Sequence, residues 1–203
     1  MSEQTTIIDL LRHGEPEGGS KYRGHVDDPL SELGWPQMRA AVAGRSGWQQ
    51  IVSSDLSRCA AFAEELGGRL AVPVELTEQF REIAFGDWEG RTAREIMAWD
   101  EAALAAFWHD PLHNTPPNAE PLADFYRRIE QAWETMLQRH AGKHILLVGH
   151  AGMMRVLLLK ALGMSLDSFY RFDPRNAAIV RLRVDSGRHG EAYSQLVFEG
   201  PQF

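Results

Sequence analysis

Two histidines stand just past the ends of apolar runs. Arg12-His13-Gly14-Glu15 follows Ile7-Ile8-Asp9-Leu10-Leu11, and His150-Ala151-Gly152 follows Ile145-Leu146-Leu147-Val148-Gly149. An imidazole is the side chain best suited to change protonation or attack as a nucleophile near neutral pH. A guanidinium beside it adds a permanent cation with a planar set of donors. Each run reads as a buried strand that delivers one histidine to its C-terminal end, with a glycine close behind. If the two strands are parallel neighbours, His13 and His150 meet across one crevice at the carboxyl edge of an open α/β sheet. Periodicity alone leaves open what binds there.

The rest of the chain must supply the frame for those two ends. Residues 1–6 read as a frayed lead-in to the first strand. A long glycine-rich loop, Gly14 to Gly24 and on to Pro29, follows it, and loops of that length in a compact domain are often functional. A helix begins near Ser31, whose hydroxyl can cap free N–H groups, and is firm after Pro36. Ile51-Val52 forms a short strand ending in Ser53-Ser54-Asp55. The next helix carries Leu56, Ala60, Phe62, Ala63 and Leu66, and Gly67-Gly68 stops it. Residues 70–76 make a further strand, placed at an edge by Pro73.

From about residue 86 to 140 the pattern is helical. Ala93 to Trp99 and Glu101 to Trp108 read as short helices, and a longer one carries Leu122, Phe125, Ile129, Ala132-Trp133 and Met136-Leu137 at the helical period. This excursion reads as a cover over one end of the sheet without a core of its own. The helix over Met153–Leu162 is apolar nearly all round and therefore deeply buried. Ala177 to Val184 and Ala192 to Phe198 are the last strands, joined as an antiparallel hairpin through Arg188-His189-Gly190.

Bulk composition sets bounds on partners. The chain has 203 residues, 44% apolar and 24% charged, and a formal net charge of −7. That balance argues against binding a nucleic-acid polymer or an anionic membrane. A few local arginines can still make a cationic pocket for a small anion. The single cysteine, Cys59, excludes an internal disulfide and reads as a small buried thiol. Apolar runs are too short to span a bilayer, and no signal-peptide pattern opens the chain, so a cytoplasmic location is expected. His109 and His113 are four apart, as are His140 and His144, but proline or glycine interrupts each pair, and both read as surface histidines. No metal and no cofactor are expected.

Five segments, in order, resemble the histidine phosphatase superfamily, the group that includes phosphoglycerate mutases. They are Arg12-His13-Gly14, Arg23-Gly24 with Asp28-Pro29-Leu30, Ser53-Ser54-Asp55-Leu56-Ser57-Arg58, Arg81-Glu82-Ile83-Ala84-Phe85-Gly86-Asp87-Trp88-Glu89-Gly90, and Gly149-His150-Ala151-Gly152. The resemblance implies a single domain over residues 1–203. Its fold would be a three-layer α/β/α sandwich around a mostly parallel mixed sheet, with an antiparallel edge and a helical cover over the C-terminal edge.

It also implies phosphoryl transfer, which needs charge neutralised on the equatorial oxygens and a nucleophile opposite the leaving oxygen. His13 is the implied nucleophile, Arg12 and Arg58 the implied donors to phosphoryl oxygens, and His150 a cationic donor. Glu82 would protonate the leaving alkoxide and then activate water. Arg23, Ala151 and Trp88 fall on the substrate side, Trp88 as a candidate for the pocket wall. The expected partner is a small phosphorylated metabolite, bound by a monomer or homodimer.

The short chain and moderate cover resemble small phosphatases more than the larger mutases. Tyr22-Arg23-Gly24, Pro29-Leu30-Ser31, Gln37-Met38 and Arg58-Cys59-Ala60 resemble the α-ribazole phosphatase branch. Pro16, Phe62 and Ala119-Glu120-Pro121 depart from the family pattern without removing a catalytic group, which leaves the substrate open. A broad-specificity or sugar-phosphate phosphatase, a phosphoglycerate mutase and a non-enzymatic phospho-ligand binder are the alternatives.

Overall fold

A computed structural model describes residues 4–186 and 192–198. Six strands form one sheet in the order β3-β2-β4-β1-β5-β6. They are β1 (Gln4–Arg12), β2 (Gln50–Ser54), β3 (Val74–Thr77), β4 (His144–Gly149), β5 (Ile179–Ser186) and β6 (Ala192–Val197). The pairs β1–β4, β2–β4 and β2–β3 are parallel, while β1–β5 and β5–β6 are antiparallel. The mixed sheet with one antiparallel edge is therefore as expected. Arg188-His189-Gly190 lies outside the described residues.

β1 and β4 are buried on both faces, which is why their sequences are nearly continuous apolar runs. On one face, Ile8, Leu10, Ile145 and Leu147 pack against α4 (Leu122–Arg139) and α5 (Ala151–Ala161). On the other, Leu11, Leu146 and Val148 pack against α1 (Gly34–Ala41) and α2 (Ser57–Leu70). These are the three layers. A buried carboxylate helps pin the central register. Asp9 accepts from Trp48 Nε1 at 2.8 Å and from Arg181 at 2.7 and 2.9 Å, and lies 2.9 Å from His144 Nε2. These donors hold its carboxyl below the ordinary range although burial pushes the other way.

Several expectations need correction. Gln4 to Thr6, read as part of the lead-in, are strand and pair with β5. α1 starts at Gly34 ahead of Pro36, because a proline in the first turn sacrifices only an N–H that has no helical acceptor. Ser31 Oγ does accept the Gly34 N–H, at 3.0 Å. Gly67-Gly68 does not stop α2, which runs to Leu70 and ends at Ala71 with φ 54°. Gly67 is instead a packing position: a Cβ there would collide with Val74 as the chain turns back into β3. β3 is an edge strand, as Pro73 required.

The cover is also smaller than its sequence suggested. α4 belongs to the sheet-packing layer, since its apolar stripe enters the same core as Ile8 and Leu147. The cover proper is α3 (Ala93–His109) with its flanking loops. α3 joins the two expected short helices across a kink at Asp100, where φ is −152° and ψ 83°. It does have a core: Trp88, Ile96, Leu104 and Phe107 pack together, with Tyr22 and Phe85 against them. Tyr22 lies in the loop after β1, so α3 rests on loops from the carboxyl edge of the sheet.

Candidate active site

Strand register brings the two histidines together. Arg12 pairs with Gly149 across β1 and β4, so the next residues, His13 and His150, emerge side by side. Their ring centroids are 5.3 Å apart at an interplanar angle of 63°. His13 Nδ1 lies 2.7 Å from the Gly14 carbonyl. A carbonyl can only accept, so Nδ1 carries the hydrogen and Nε2 keeps its lone pair. Gly14 is required here: a Cβ would strike the Gly34 carbonyl, where the loop crosses the start of α1.

Both imidazoles are buried, His13 to 5% exposure and His150 to 0%. Burial, followed by the charges of Arg12 and Arg58, holds the His13 pKa well below its ordinary value. For His150 the causes are burial, then Arg58, His13 and Arg12. These causes favour the neutral form of His150, whose Nε2 lies 2.9 Å from Ser54 Oγ. An anion bound between the arginines would reverse part of that field. Cys59 lies beneath, its Sγ 3.7 Å from His150 Nε2 and donating to the Gly149 carbonyl at 3.5 Å. Burial pushes its pKa up to about 12, so it remains a thiol.

Arg12 and Arg58 each carry an unmet hydrogen bond. Arg12 donates through one terminal nitrogen to the Pro174 carbonyl at 2.7 Å, yet its buried Nε has no acceptor among the described residues. Arg58 is 1% exposed and donates to the carbonyls of Val26 and Gly24, both at 2.8 Å, while its buried Nε is likewise unpaired. Part of the Arg58 fork thus anchors the loop after β1, a role its sequence position did not disclose. An unpaired buried donor costs about 1–3 kcal/mol, more when charged. Two such donors near His13 mark a place for an anion.

Glu82 sits at the start of α5. Its Oε2 accepts the Gly152 N–H at 3.0 Å and its Oε1 the Ile83 N–H at 3.1 Å. The positive end of α5 favours a carboxylate there. Gly152 makes room for it, since a Cβ at that position would collide with Glu82 Oε1. Arg81 does not pair with Glu82. It forms a two-point ion pair with Asp55, at 2.7 and 2.5 Å.

Residues outside every recognisable motif hold the Glu82 loop. Arg128 on α4 pairs with Glu120 at 2.9 and 2.8 Å and donates to the carbonyls of Gln79, Arg81 and Glu82. Glu120 in turn accepts from Ala84 N. Glu89 Oε1 accepts from His25 N and Phe85 N, joining this loop to the one after β1. These pairs span distant segments at no diagnostic spacing, so sequence gave no signal for them.

The remaining candidates divide. Arg23 is held inside its own loop by Asp28 at 3.0 Å and by the Glu17 and Gly19 carbonyls at 2.5 Å, and its charge acts on His13. Ala151 opens α5 directly after His150, with its side chain buried. Trp88 is a correction: at 1% exposure it is a core residue of the cover, edge-on to Tyr22 and Phe107, and lines no part of the crevice. Phe85, Phe107 and Tyr170 stand beside Glu82 instead. Together with Glu82, Gly152 and Arg155 they enclose a slot of about 40 Å³. His140 and His144 are also not plain surface groups, for they face Glu75 at 3.2 Å and Asp9 at 2.9 Å. Among the described residues there is no cluster of three or more metal-ligating side chains. No described helix is long and apolar enough to cross a membrane.

An α/β sandwich with two facing histidines, unpaired buried guanidinium groups and a carboxylate at a helix start defines a phosphoryl-transfer site of the histidine type. Comparison with known proteins agrees. Residues 8–193 match the model of the histidine phosphatase superfamily (branch 1), and the chain belongs to that family. It is 29% identical over 183 residues to the adenosylcobalamin/alpha-ribazole phosphatase of Escherichia coli K12, covering 88% of this chain and 85% of that one. It is 33% identical over 171 residues to the glucosyl-3-phosphoglycerate phosphatase of Mycolicibacterium vanbaalenii, covering 79% and 76%. A solved mycobacterial glucosyl-3-phosphoglycerate phosphatase superposes with a TM-score of 0.83 at 27% identity, covering 97% of this chain and 99% of that one. The protein is thus a phosphatase with the fold of its family.

Proposed function

We propose that the chain hydrolyses a phosphomonoester in two steps through a phosphohistidine on His13. The observation that carries this reading is the pair of buried, unpaired guanidinium N–H groups flanking a neutral imidazole whose Nε2 lone pair is free. Arg12, Arg58 and the N–H or hydroxyl donors around His150 and Ser54 receive the phosphoryl oxygens. Nε2 of His13 attacks phosphorus, the bond to the alcohol oxygen breaks, and Glu82 gives that oxygen its proton. Water then loses a proton to Glu82 and attacks phosphorus, the P–N bond breaks, and phosphate leaves. Arg23 and the Ala151 N–H border the substrate. The reading takes residues 1–203 as one domain acting in the cytoplasm as a monomer or homodimer.

For the substrate, the resemblance of the sequence and the name of the E. coli relative support α-ribazole 5′-phosphate, in assembly of the cobalamin lower ligand. A second reading, a phosphate ester of a small hydroxy acid, is favoured by Arg155 in the slot beside Glu82. Rapid quench with a labelled phosphomonoester tests the common step. An acid-labile, base-stable adduct is expected in wild type and absent from His13→Ala, which should also lose hydrolysis. Full activity in that variant overturns the proposal. Conversion of 3- to 2-phosphoglycerate faster than phosphate release would make the chain a mutase instead.

A further inference from the structure

The strand register that brings the two histidines together also brings a hydroxyl to one of them. Ser53 on β2 pairs with Val148 on β4, so Ser54, the last residue of β2, ends beside His150. Its Oγ lies 2.9 Å from His150 Nε2, and both residues are at 0% exposure. Among the described residues the hydroxyl has one other partner, the Leu56 N–H at 3.4 Å, which can only donate. The hydroxyl hydrogen therefore has a single acceptor there, Nε2. Were Nε2 to carry the imidazole hydrogen, two hydrogens would compete for one contact and a buried O–H would go unmet.

The other ring nitrogen is left without a strong acceptor. Nδ1 has Cys59 Sγ at 4.0 Å, a weak acceptor whose own hydrogen goes to the Gly149 carbonyl. It is the nitrogen nearer the main chain, where α5 begins at Ala151, and the ring centroid stands 5.3 Å from that of His13. An N–H on Nδ1 can thus converge with the first N–H groups of that helix on one anionic oxygen. The groups whose charges act on the ring are Arg58 on α2, His13 and Arg12 at the end of β1, and His25 in the loop after it. A carboxylate in place of Ser54 would favour the cationic ring against that field. A hydroxyl leaves the ring neutral and still orders its hydrogen.

We propose that Ser54 is a positioning residue: its hydroxyl donates to Nε2 of His150, which fixes the imidazole hydrogen on Nδ1 and presents that N–H to a phosphoryl oxygen. This rests on the phosphohistidine reading above and adds to it how the second histidine is oriented. Nitrogen-15 NMR of histidine-labelled protein near neutral pH reads the tautomer, because protonated and bare ring nitrogens resonate far apart, and His150→Gln assigns the signals. Wild type is expected to show Nδ1 protonated and Nε2 bare, and Ser54→Ala to move the hydrogen to Nε2 in part or whole. In Ser54→Ala, kcat/KM should fall roughly 10- to 100-fold on alkyl and nitrophenyl phosphates alike, since the misplaced donor serves the phosphoryl group and not the leaving oxygen. Vanadate should inhibit that variant more weakly by a similar factor. A His150 protonated on Nε2 in wild type, alone or together with Nδ1, overturns the proposal, and this arm stands even if the alanine variant fails to fold. An unchanged tautomer in Ser54→Ala, a changed one with wild-type kcat/KM and vanadate affinity, or a loss confined to alkyl phosphates overturns it as well. Absence of a His13 adduct would instead overturn the reading beneath it, whatever the tautomer.

Discussion

Removing Glu120 should separate the placement of Glu82 from the clamping of phosphate. Glu120 and Arg128 are about one-fifth exposed, at 18% and 21%, and form a two-point pair. Arg128 also donates to the carbonyls of Gln79, Arg81 and Glu82 itself, so the pair acts on Glu82 through the loop. In Glu120→Ala, Arg128 keeps those carbonyls but loses its counter-charge, and Ala84 N loses an acceptor. An exposed pair is worth under about 1 kcal/mol and a broken buried one about 3–5, so a half-buried pair should cost roughly 1–3 kcal/mol in urea unfolding.

The catalytic effect should be larger and selective. A shift of about 1 Å in a positioned group can cost on the order of 10²-fold. That loss should fall on alkyl phosphates, whose leaving oxygen needs a proton, and largely spare nitrophenyl phosphate, whose oxygen hardly does. The assay is kcat/KM over a series of esters graded in leaving-group pKa, because kcat/KM excludes the later hydrolysis of the phosphohistidine. A steeper dependence on leaving-group pKa is expected in Glu120→Ala than in wild type, with Glu120→Gln intermediate. A uniform loss across the series, or none on alkyl esters, would refute the argument that Glu120 acts through Glu82.

Gly152→Ala should leave thermal stability within about 1 kcal/mol, since alanine suits a helix and the colliding Glu82 carboxylate can swing aside. The same swing should remove the acid, lowering kcat/KM on alkyl phosphates roughly 10²-fold; wild-type rates would show that Glu82 need not sit on the Gly152 N–H. Stability should fall with acid. His13 and His150 have folded pKa values well below 6.5, so below pH 6.5 the unfolded chain binds protons that the native chain does not. Stability therefore rises with pH up to about 6.5 and is lost below it, with a limiting slope of about 2.7 kcal/mol per pH unit for two groups. Urea midpoints from pH 7.5 to 5 would check this, and a flat profile would contradict it. The depressed carboxyl of Asp9 adds its own loss only in the lower window beneath pH 3.8.

What the sequence determined by itself was a mostly parallel mixed sheet with an antiparallel edge, and a set of candidate reacting groups. The apolar runs before His13 and His150, broken only by Asp9 in the first, read as central strands. Parallel pairing then forces their ends together, as the Arg12–Gly149 register does. Local signals of this kind survive because a strand buried on both faces admits few other readings. Tertiary structure decided everything that depends on segments distant in the chain. Trp88 looked like a wall of the crevice because it follows Glu82 closely, but the α3 core captures it. His150 looked cationic because phosphate favours that form, while burial between Arg58, His13 and Arg12 favours the neutral one. Arg58 carries loop-anchoring bonds, Glu120 and Arg128 hold the acid loop, and Arg155 reaches the slot, all through contacts that no spacing encodes. A residue's type sets what chemistry it can do; the dielectric, the neighbouring charges and the free hydrogen-bond edges that decide which chemistry it does exist only once the chain has folded.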